Sequence, residues 1–245
     1  MSEATRLIHG FHAVTARLRR DAASVHEIYL DAARKDARAR DLARLATNAG
    51  VRIMHLDGAR LDAMLKGARH QGAAARVAAQ QSYVSVADVL DSCAAPPLLL
   101  ALDGVTDPHN LGACLRVADA AGAAAVIAPK DRACGLNATA IKAASGAAES
   151  VPYIVVTNLA RSLREIKEHG LWTLGAADGA ASSLYSATLP QGVCWVLGAE
   201  GDGLRRLTRD TCDELVSIPM FGAVNSLNVS VAAAICLYET RRREA

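Results

Sequence analysis

Short apolar runs alternate with helical stretches from residue 97 to the end of the chain. The apolar runs lie at 98–102, 125–128, 151–156, 171–174, 193–197 and 215–218, and helical periodicity lies near 111–121, 137–147, 159–168 and 227–241. Strands that are apolar without interruption are buried on both faces, so this order predicts an α/β fold with a parallel sheet covered by helices. Because ligands of such sheets bind beyond the carboxyl ends of the strands, we expect chemistry in the loops there.

The first 78 residues follow a different pattern, which is typical of a smaller α/β unit. Helical periodicity lies at 12–20, 36–48 and 61–65, and strand patterns lie at 25–30 and 51–56. Residues 79–96 contain several Gln and Ser residues and end at Pro96, which Pro97 follows, and no helix continues through this pair. The chain is therefore predicted to contain a small domain at 1–78, a linker at 79–96 and a larger domain at 97–245.

Composition narrows the class of protein. The chain of 245 residues is 51% hydrophobic and 21% charged, which supports a sizeable core and excludes global disorder. Alanine contributes 51 residues, which favours helices over an all-β architecture. No apolar stretch approaches the ~18 residues of a membrane span, and the N-terminus lacks the apolar segment of a signal peptide. We therefore expect a soluble, cytoplasmic protein without membrane contact.

The six cysteines do not form the closely spaced pairs of a metal site. They stand at 93, 114, 134, 194, 212 and 236, so successive cysteines are at least 18 positions apart. A zinc site or a dense disulfide framework needs tighter spacing. We predict reduced, mostly buried cysteines and no metal.

Charge is distributed unevenly along the chain. Residues 1–80 carry a formal net charge of +6, while the remaining residues carry −4. A basic module joined to a differently specialised one favours a polyanionic partner. A solvated helix surface explains the same numbers, so both interpretations stay open on composition alone.

The first candidate loop follows the run at 98–102. Asp107 and Pro108 predict a turn, and Asn110 is placed to cap the helix that ends near Gly122. Arg116 either pairs with Asp119 on the helix surface or contacts a phosphate or hydroxyl of a ligand. Six helical residues rotate through about 600°, so Asn110 and Arg116 do not share a face. If both are catalytic, one of them acts in a site shared with a second chain.

The second loop, residues 198–203, contains three glycines that permit close approach of a ligand to the backbone. Its acidic residues, Glu200 and Asp202, would repel a pyrophosphate, and its glycine order matches neither the dinucleotide nor the P-loop pattern. A ligand without phosphates that carries positive charge suits it better, and S-adenosylmethionine meets both conditions. Alternatively, Glu200 lies in the first turn of a helix, where the helix dipole favours it.

The third loop leads into the last helix. Ile218, Met220 and Leu227 could clamp a flat ring between apolar side chains. Ser226 is placed to cap the helix, and Asn228 is predicted in its first turn. Taken singly, each of these polar residues is explained by a structural role.

Together these loops resemble the three signature motifs of the SpoU/TrmH family of RNA ribose methyltransferases, within the SPOUT superfamily. Residues 110–116, 197–203 and 225–231 carry the resemblance, and their order and spacing agree throughout 97–245. The segments 9–14 and 70–77 resemble the ribosomal-protein-like RNA-binding domain of one branch of the family. That branch methylates the ribose 2′-oxygen of a guanosine in 23S ribosomal RNA.

The resemblance implies several properties that periodicity does not predict. It implies a deep trefoil knot in the C-terminal segments and a homodimer whose active sites draw on both chains. It implies S-adenosylmethionine as the cofactor and large-subunit ribosomal RNA as the partner. The residues expected to bind the cofactor are Gly198, Gly201, Ile218, Met220 and Leu227.

The resemblance also assigns catalytic roles to five residues, namely Asn110, Arg116, Glu200, Ser226 and Asn228. Arg116 is expected to lower the pKa of the ribose hydroxyl and to hold the adjacent phosphate, because deprotonating an arginine to make it a base is very costly. Asn110 and Ser226 are expected to position the ribose or a water, and Glu200 and Asn228 to order the loops.

Three alternative functions stay open. The first is a 2′-O-methyltransferase of the same family that acts on tRNA. The second is a non-catalytic RNA-binding or ribosome-assembly protein, which would not need the five polar residues together. The third is a nucleotide-dependent α/β enzyme, which the missing phosphate loop disfavours.

Overall fold

The computed structural model describes residues 5–68, 70–78, 85–199 and 201–244. The chain forms two compact units, Met1–Ser82 and Tyr83–Ala245. Within the described residues, no helix combines the length and the apolar composition needed to cross a bilayer.

The first unit is a four-stranded sheet with helices on both faces. Its elements are β1 (Thr5–His9), α1 (Phe11–Arg20), β2 (Val25–Asp31), α2 (Ala37–Asn48), β3 (Ile53–Leu56), α3 (Gly58–Met64) and β4 (Ala73–Ala78). The strand order is β1-β4-β2-β3, with β2 and β3 parallel and the other pairs antiparallel. Side chains of α1 and α2 share one cluster with the sheet, while α3 packs against the opposite face through Leu61.

Two strands of this sheet, β1 and β4, were not predicted. β4 pairs with both β1 and β2, and its residues Ala73, Ala74, Ala75 and Val77 are buried. An alanine-rich strand that is covered on both faces has neither the alternation nor the β-branched side chains by which strands are recognised.

The second unit is built on a seven-stranded sheet. Its strands are β5 (Leu98–Asp103), β6 (Ala125–Pro129), β7 (Tyr153–Val156), β8 (Trp172–Ala176), β9 (Ser182–Ser183), β10 (Val193–Gly198) and β11 (Glu214–Ser217). Its helices are α4 (Val86–Ser92), α5 (Pro108–Ala120), α6 (Ala138–Ala143), α7 (Ala147–Ser150), α8 (Leu159–Glu168), α9 (Arg206–Thr211) and α10 (Val229–Glu244). The order is β7-β6-β5-β10-β8-β11-β9, and each neighbouring pair is parallel. The predicted parallel sheet is confirmed.

Alternate side chains of the central strands serve the two faces of this sheet. Leu98, Leu100 and Leu102 pack with residues of α5 and α10, whereas Leu99 and Ala101 pack with residues of α4 and α8. The period of two along a strand produces this division. All five side chains are buried, which explains the uninterrupted apolar run.

One local expectation requires correction, and the predicted linker contains a helix that was not predicted. The single helix predicted at 137–147 is two helices, because Ser145 (φ 51°) and Gly146 (φ 99°) adopt left-handed backbone conformations that end α6 before α7 begins. Residues 86–92, inside the predicted linker, form α4, whose Val86 and Val89 are buried in the core of the second unit. The division at 1–78, 79–96 and 97–245 stays a prediction.

The C-terminal helix is attached to the sheet by polar contacts as well as by packing. Trp195 on β10 is fully buried and donates its indole N–H to Thr240 Oγ1 at 2.9 Å.

Glu239 is buried and accepts hydrogen bonds from Arg242 (2.8 and 2.9 Å) and Arg243 (2.7 Å). Arg243 in turn donates to the carbonyl oxygens of Leu184 and residues 185 and 187. The hydrogen bonds from Arg242, together with those from Arg243, outweigh burial and lower the pKa of Glu239 to about 2.

We expect the stability contributed by Glu239 to depend on pH in one direction. A carboxyl whose pKa is lowered on folding stabilises the protein fully above its unfolded value of 4.5, and this stabilisation is lost as pH falls towards 2. Glu239→Gln should lower the free energy of unfolding by about 2 kcal/mol at pH 7. In urea titrations, the difference in the free energy of unfolding between Glu239→Gln and wild type should become smaller below pH 4.5. Glu244→Gln, which removes the exposed partner of Arg241, is the control and should change stability little.

Candidate active site

A cavity of about 670 Å³ opens at the carboxyl ends of β8, β10 and β11, beside the start of α10. Its lining consists of 176–178, 197–199, 201–204 and 225–229, together with Arg209, Ile218, Met220 and Ala232. The second and third candidate loops therefore meet at one edge of the sheet, as the strand order predicts.

The second loop is a tight turn that closes on itself. Gly203 N–H donates to the carbonyl of Ala199 at 3.0 Å, and Gly201 (φ 85°) and Gly203 (φ 65°) adopt left-handed conformations that glycine favours. A Cβ on Gly198 would overlap the backbone of Gly203 and of Leu204. The absence of a side chain at 198 thus serves the loop's own packing. The predicted residue Glu200 lies outside the described residues.

The three side chains predicted to clamp a flat ring lie at the cavity. Ile218, Met220 and Leu227 all line it and are half-buried. The cofactor-binding glycines, Gly198 and Gly201, line it as well. The five positions named for the cofactor are thus brought together around one space, although which of them touch a ligand stays a prediction.

The sequence pattern indicated only one of three charged residues that line the same cavity. Asp202 was noted in the sequence, but Asp178 and Arg209 were not, and all three line the cavity and are exposed. Asp178 shortly follows the carboxyl end of β8, which is a position where ligand contacts are expected. Arg209 lies within α9, a short helix for which the sequence pattern carried no signal.

The last helix is capped by Asn228, and the predicted cap at Ser226 is wrong. Asn228 directly precedes α10, and its Oδ1 accepts from Ser230 N–H at 2.9 Å and from Ser230 Oγ at 2.6 Å. Its Nδ2 donates to Asn110 Oδ1 at 2.9 Å. Asn228 therefore does not lie within the first turn. Ser226 and Asn228 both line the cavity and are exposed.

Asn110 does not cap α5 as predicted. Asp107 takes that place, since its Oδ1 accepts from His109 N–H at 3.1 Å, and Pro108 occupies the first helical position. Proline suits this position because its fixed φ is helical and its missing N–H would have no partner there. Asn110 consequently lies in the first turn, where its side chain meets Asn228.

Arg116 lies apart from the cavity of its own chain. Its side chain is exposed on α5, it is absent from the cavity lining, and within the described residues it has no hydrogen bond or ion pair. The alternative of a surface pair with Asp119 is not observed, because Asp119 accepts a hydrogen bond from Ser150 instead. An exposed arginine without a partner in the described part of the chain remains available to a ligand or a second chain.

An ion pair that the sequence did not suggest joins the end of β5 to Arg205, directly before α9, with the Asp103 carboxylate buried and the Arg205 side chain 40% exposed. Asp103, the last residue of β5, is 1% exposed. Arg205 donates its Nε to Asp103 Oδ1 at 2.6 Å and its backbone N–H to Oδ2 at 3.0 Å. Both carboxylate oxygens are thus bonded by one residue, which satisfies the buried charge. The two residues are far apart in sequence, so no local pattern could have paired them.

The cysteines do not contribute reactive groups to this site. Burial raises the pKa of Cys236 to about 12, and burial with the neighbouring Asp213 raises that of Cys212 to about 12. Such thiols stay protonated at neutral pH and are poor nucleophiles. All six are free, and no Cys lines the cavity. The described part of the chain contains no cluster of His, Cys, Asp or Glu arranged to hold a metal ion.

Comparison with known proteins agrees with this geometry. The SpoU rRNA Methylase family matches residues 97–238, and the family described as RNA 2′-O ribose methyltransferase substrate binding matches 7–83. A 23S rRNA (guanosine-2′-O-)-methyltransferase RlmB of Ralstonia nicotianae is 58% identical over 98% of this chain and 96% of its own. The protein of the same description from Neisseria meningitidis is 56% identical over 97% and 95%.

A solved structure described as an RNA 2′-O ribose methyltransferase shares the fold. It superposes with a TM-score of 0.72 at 26% identity, covering 99% of this chain and 90% of that one. The resemblance carried by the three loops is confirmed. The chain belongs to the SpoU rRNA Methylase family.

Proposed function

We propose that the protein transfers a methyl group from S-adenosylmethionine to the ribose 2′-oxygen of a guanosine in 23S ribosomal RNA. The observation that carries the proposal is the cavity at the sheet's carboxyl edge, which is built from the second and third family motifs. The relatives of this chain at 58% and 56% identity are described as enzymes of that activity.

The residues of the cavity fit the proposed cofactor. A volume of about 670 Å³ is in the range of small-molecule sites. Ile218, Met220 and Leu227 offer apolar surface for an adenine. The charged lining contains two carboxylates, Asp178 and Asp202, against one arginine, Arg209, and this balance favours a cation. When bound, S-adenosylmethionine supplies an electrophilic methyl group attached to a sulfonium.

The chain's own residues would act on the ribose hydroxyl. Arg116 stabilises the negative charge that develops on the 2′-oxygen as its proton leaves to solvent, and it holds the adjacent phosphate. The Asn110–Asn228 hydrogen bond orders the edge of the cavity on which the ribose would lie. Ser226 lines the cavity and is exposed, and it would position the ribose or a water. Because methyl transfer is an in-line displacement, alignment of these groups governs its rate.

We also infer a homodimer in which Arg116 serves the cavity of the partner. Arg116 is exposed and is absent from the lining of the cavity of its own chain, and Asn110 on the same helix is absent from that lining as well. On α10, which packs on α5, Val231 and Tyr238 are 46% and 50% exposed. They are two helical turns apart on one face, which suits an apolar contact between chains.

The deep trefoil knot belongs to the same proposal. Asn228 ties the segment that enters α10 to the first turn of α5, so the third loop is held against the first. The knot itself is proposed from membership of the family.

The first unit is proposed to hold the RNA. Residues 1–80 carry +6, and the substrate-binding family matches 7–83. With only 4% aromatic residues, stacking along a single strand is disfavoured, so the RNA is held through its backbone and shape. Action on ribosomal RNA would take place in the cytoplasm.

Titration with S-adenosylmethionine followed by a methyl-transfer assay tests this function. We expect saturable binding to the wild-type protein and a 2′-O-methylated guanosine in 23S rRNA, with tRNA unmodified. Methylation of tRNA instead would favour the related tRNA activity. Binding without transfer to any RNA would favour the non-catalytic alternative. Mapping 2′-O-methyl groups in cells with and without the protein identifies the nucleotide.

Removing the first unit should separate RNA binding from cofactor binding. A chain lacking residues 1–80 is expected to lose most activity on long rRNA, because it loses the basic surface that attracts phosphates. Its dissociation constant for S-adenosylmethionine should stay within about twofold, since the cavity lies wholly in the second unit. Equal activity of the truncated and full chains on 23S rRNA would contradict the division of labour.

A further inference from the structure

The wall of the cavity formed by 201–204 is fixed by two contacts. Within the wall, the N–H of Gly203 donates to the carbonyl of Ala199, just after β10. Directly after the wall, Arg205 is bonded through both its backbone and its side chain to Asp103. The first contact holds the wall only to its own strand, so the ion pair supplies its attachment to a different strand, β5.

The segment that begins with Asp103 also holds the opposite wall. It leads through Asp107 into α5, where Asn110 accepts the hydrogen bond from Asn228. Asn228 belongs to the third loop, which lines the other side of the cavity. Residues 103–110 therefore anchor two walls that come from different parts of the chain.

We propose that Asp103 and Arg205 are positioning residues that hold the cofactor-binding wall in register with Asn110. The inference rests on the proposed function, because the cavity is taken to bind S-adenosylmethionine. Neither residue needs to touch the cofactor. Their bond sets the position of 201–204 before a ligand arrives, so that ligand binding does not have to order the wall.

A neighbouring ion pair provides a matched control. Arg206 and Asp210 lie on α9, which begins directly after Arg205. Arg206 Nε and Asp210 Oδ2 are 3.7 Å apart, and the two side chains are 96% and 61% exposed. This pair has the same charges and lies on the helix that Arg205 precedes, but both of its residues belong to that helix and the pair does not reach β5. Arg206→Lys and Asp210→Asn should therefore leave cofactor binding within about twofold of wild type.

The experiment compares Asp103→Asn and Arg205→Lys with wild type and with these controls. Dissociation constants for S-adenosylmethionine are measured by calorimetry, and kcat and KM for the cofactor are measured on an rRNA fragment. Asp103→Asn should raise both Kd and KM about tenfold, which corresponds to about 1.4 kcal/mol, with a smaller fall in kcat. Arg205→Lys keeps the charge and the backbone bond and should give about a threefold rise.

A purely structural role predicts a different result. Partial unfolding lowers the fraction of active enzyme, which reduces kcat and leaves KM unchanged. That pattern, or unchanged Kd for both variants at a temperature where both are folded, would overturn the inference. If Asp103→Asn does not fold, Arg205→Lys decides: a Kd equal to that of wild type overturns the inference. Failure of the wild-type protein to bind S-adenosylmethionine would instead overturn the proposed function, and the inference with it.

Discussion

Arg116→Ala should reduce methyl transfer by about 10²–10³-fold, the usual cost of removing a group that stabilises developing negative charge. Cofactor affinity should stay within about threefold, since Arg116 lies outside the cavity of its own chain. Single-turnover transfer to rRNA and calorimetry measure the two quantities. Arg164→Ala removes another exposed arginine, on α8, and should leave both quantities unchanged. Retained turnover in Arg116→Ala would remove this residue from the mechanism.

Mixing two inactive variants determines whether Arg116 acts in its own chain or in the partner. If each site combines Asn110 of one chain with Arg116 of the other, a heterodimer of Asn110→Ala and Arg116→Ala contains one intact site. Random pairing of equal amounts should then restore about a quarter of wild-type activity, because half of the dimers are mixed and each has one working site. No recovery in co-purified heterodimers would mean that both residues serve the same chain.

The apolar pattern predicts the strands of the second unit for a physical reason. Each of the six runs predicted as strands is a strand, since the strands of a covered parallel sheet need apolar side chains on both faces. The same pattern located the loops at the carboxyl ends, and with them Ile218, Met220 and Leu227 around one cavity. These residues directly follow the carboxyl ends of strands or lead into the next helix, so predicting the strands also predicts the edge of the sheet at which they lie.

Other parts of the site depend on contacts between distant segments. Asn110 and Ser226 were both expected to cap helices, as their residue types favour, but Asp107 and Asn228 have these places. The position of Asn228 is set partly by its bond to Asn110, 118 residues away. No window along the chain contains that information, and the Asp103–Arg205 pair is missed for the same reason.

The substitution expected to have the largest effect on cofactor binding is Gly198→Ala. A methyl group there would overlap the carbonyl group of Gly203 and the amide nitrogen of Leu204, which are backbone atoms that a rotamer change cannot move. The turn must open to accept it, and the wall at 201–204 would be displaced from the cavity. We expect at least a 100-fold rise in Kd for S-adenosylmethionine and a loss of about 3 kcal/mol in the free energy of unfolding.

Gly222→Ala provides the matched control, because it adds the same methyl group to the third loop. A Cβ at position 222 would have no heavy atom from beyond its chain neighbours within 4 Å, and the backbone there is not left-handed. It should bind S-adenosylmethionine as wild type does. Calorimetry and urea titration of the two variants separate steric overlap from a general intolerance of alanine in the loops. Wild-type affinity in folded Gly198→Ala would mean that the turn can open without cost to the site, and that the close approach of Gly203 to Gly198 is not what shapes the cavity.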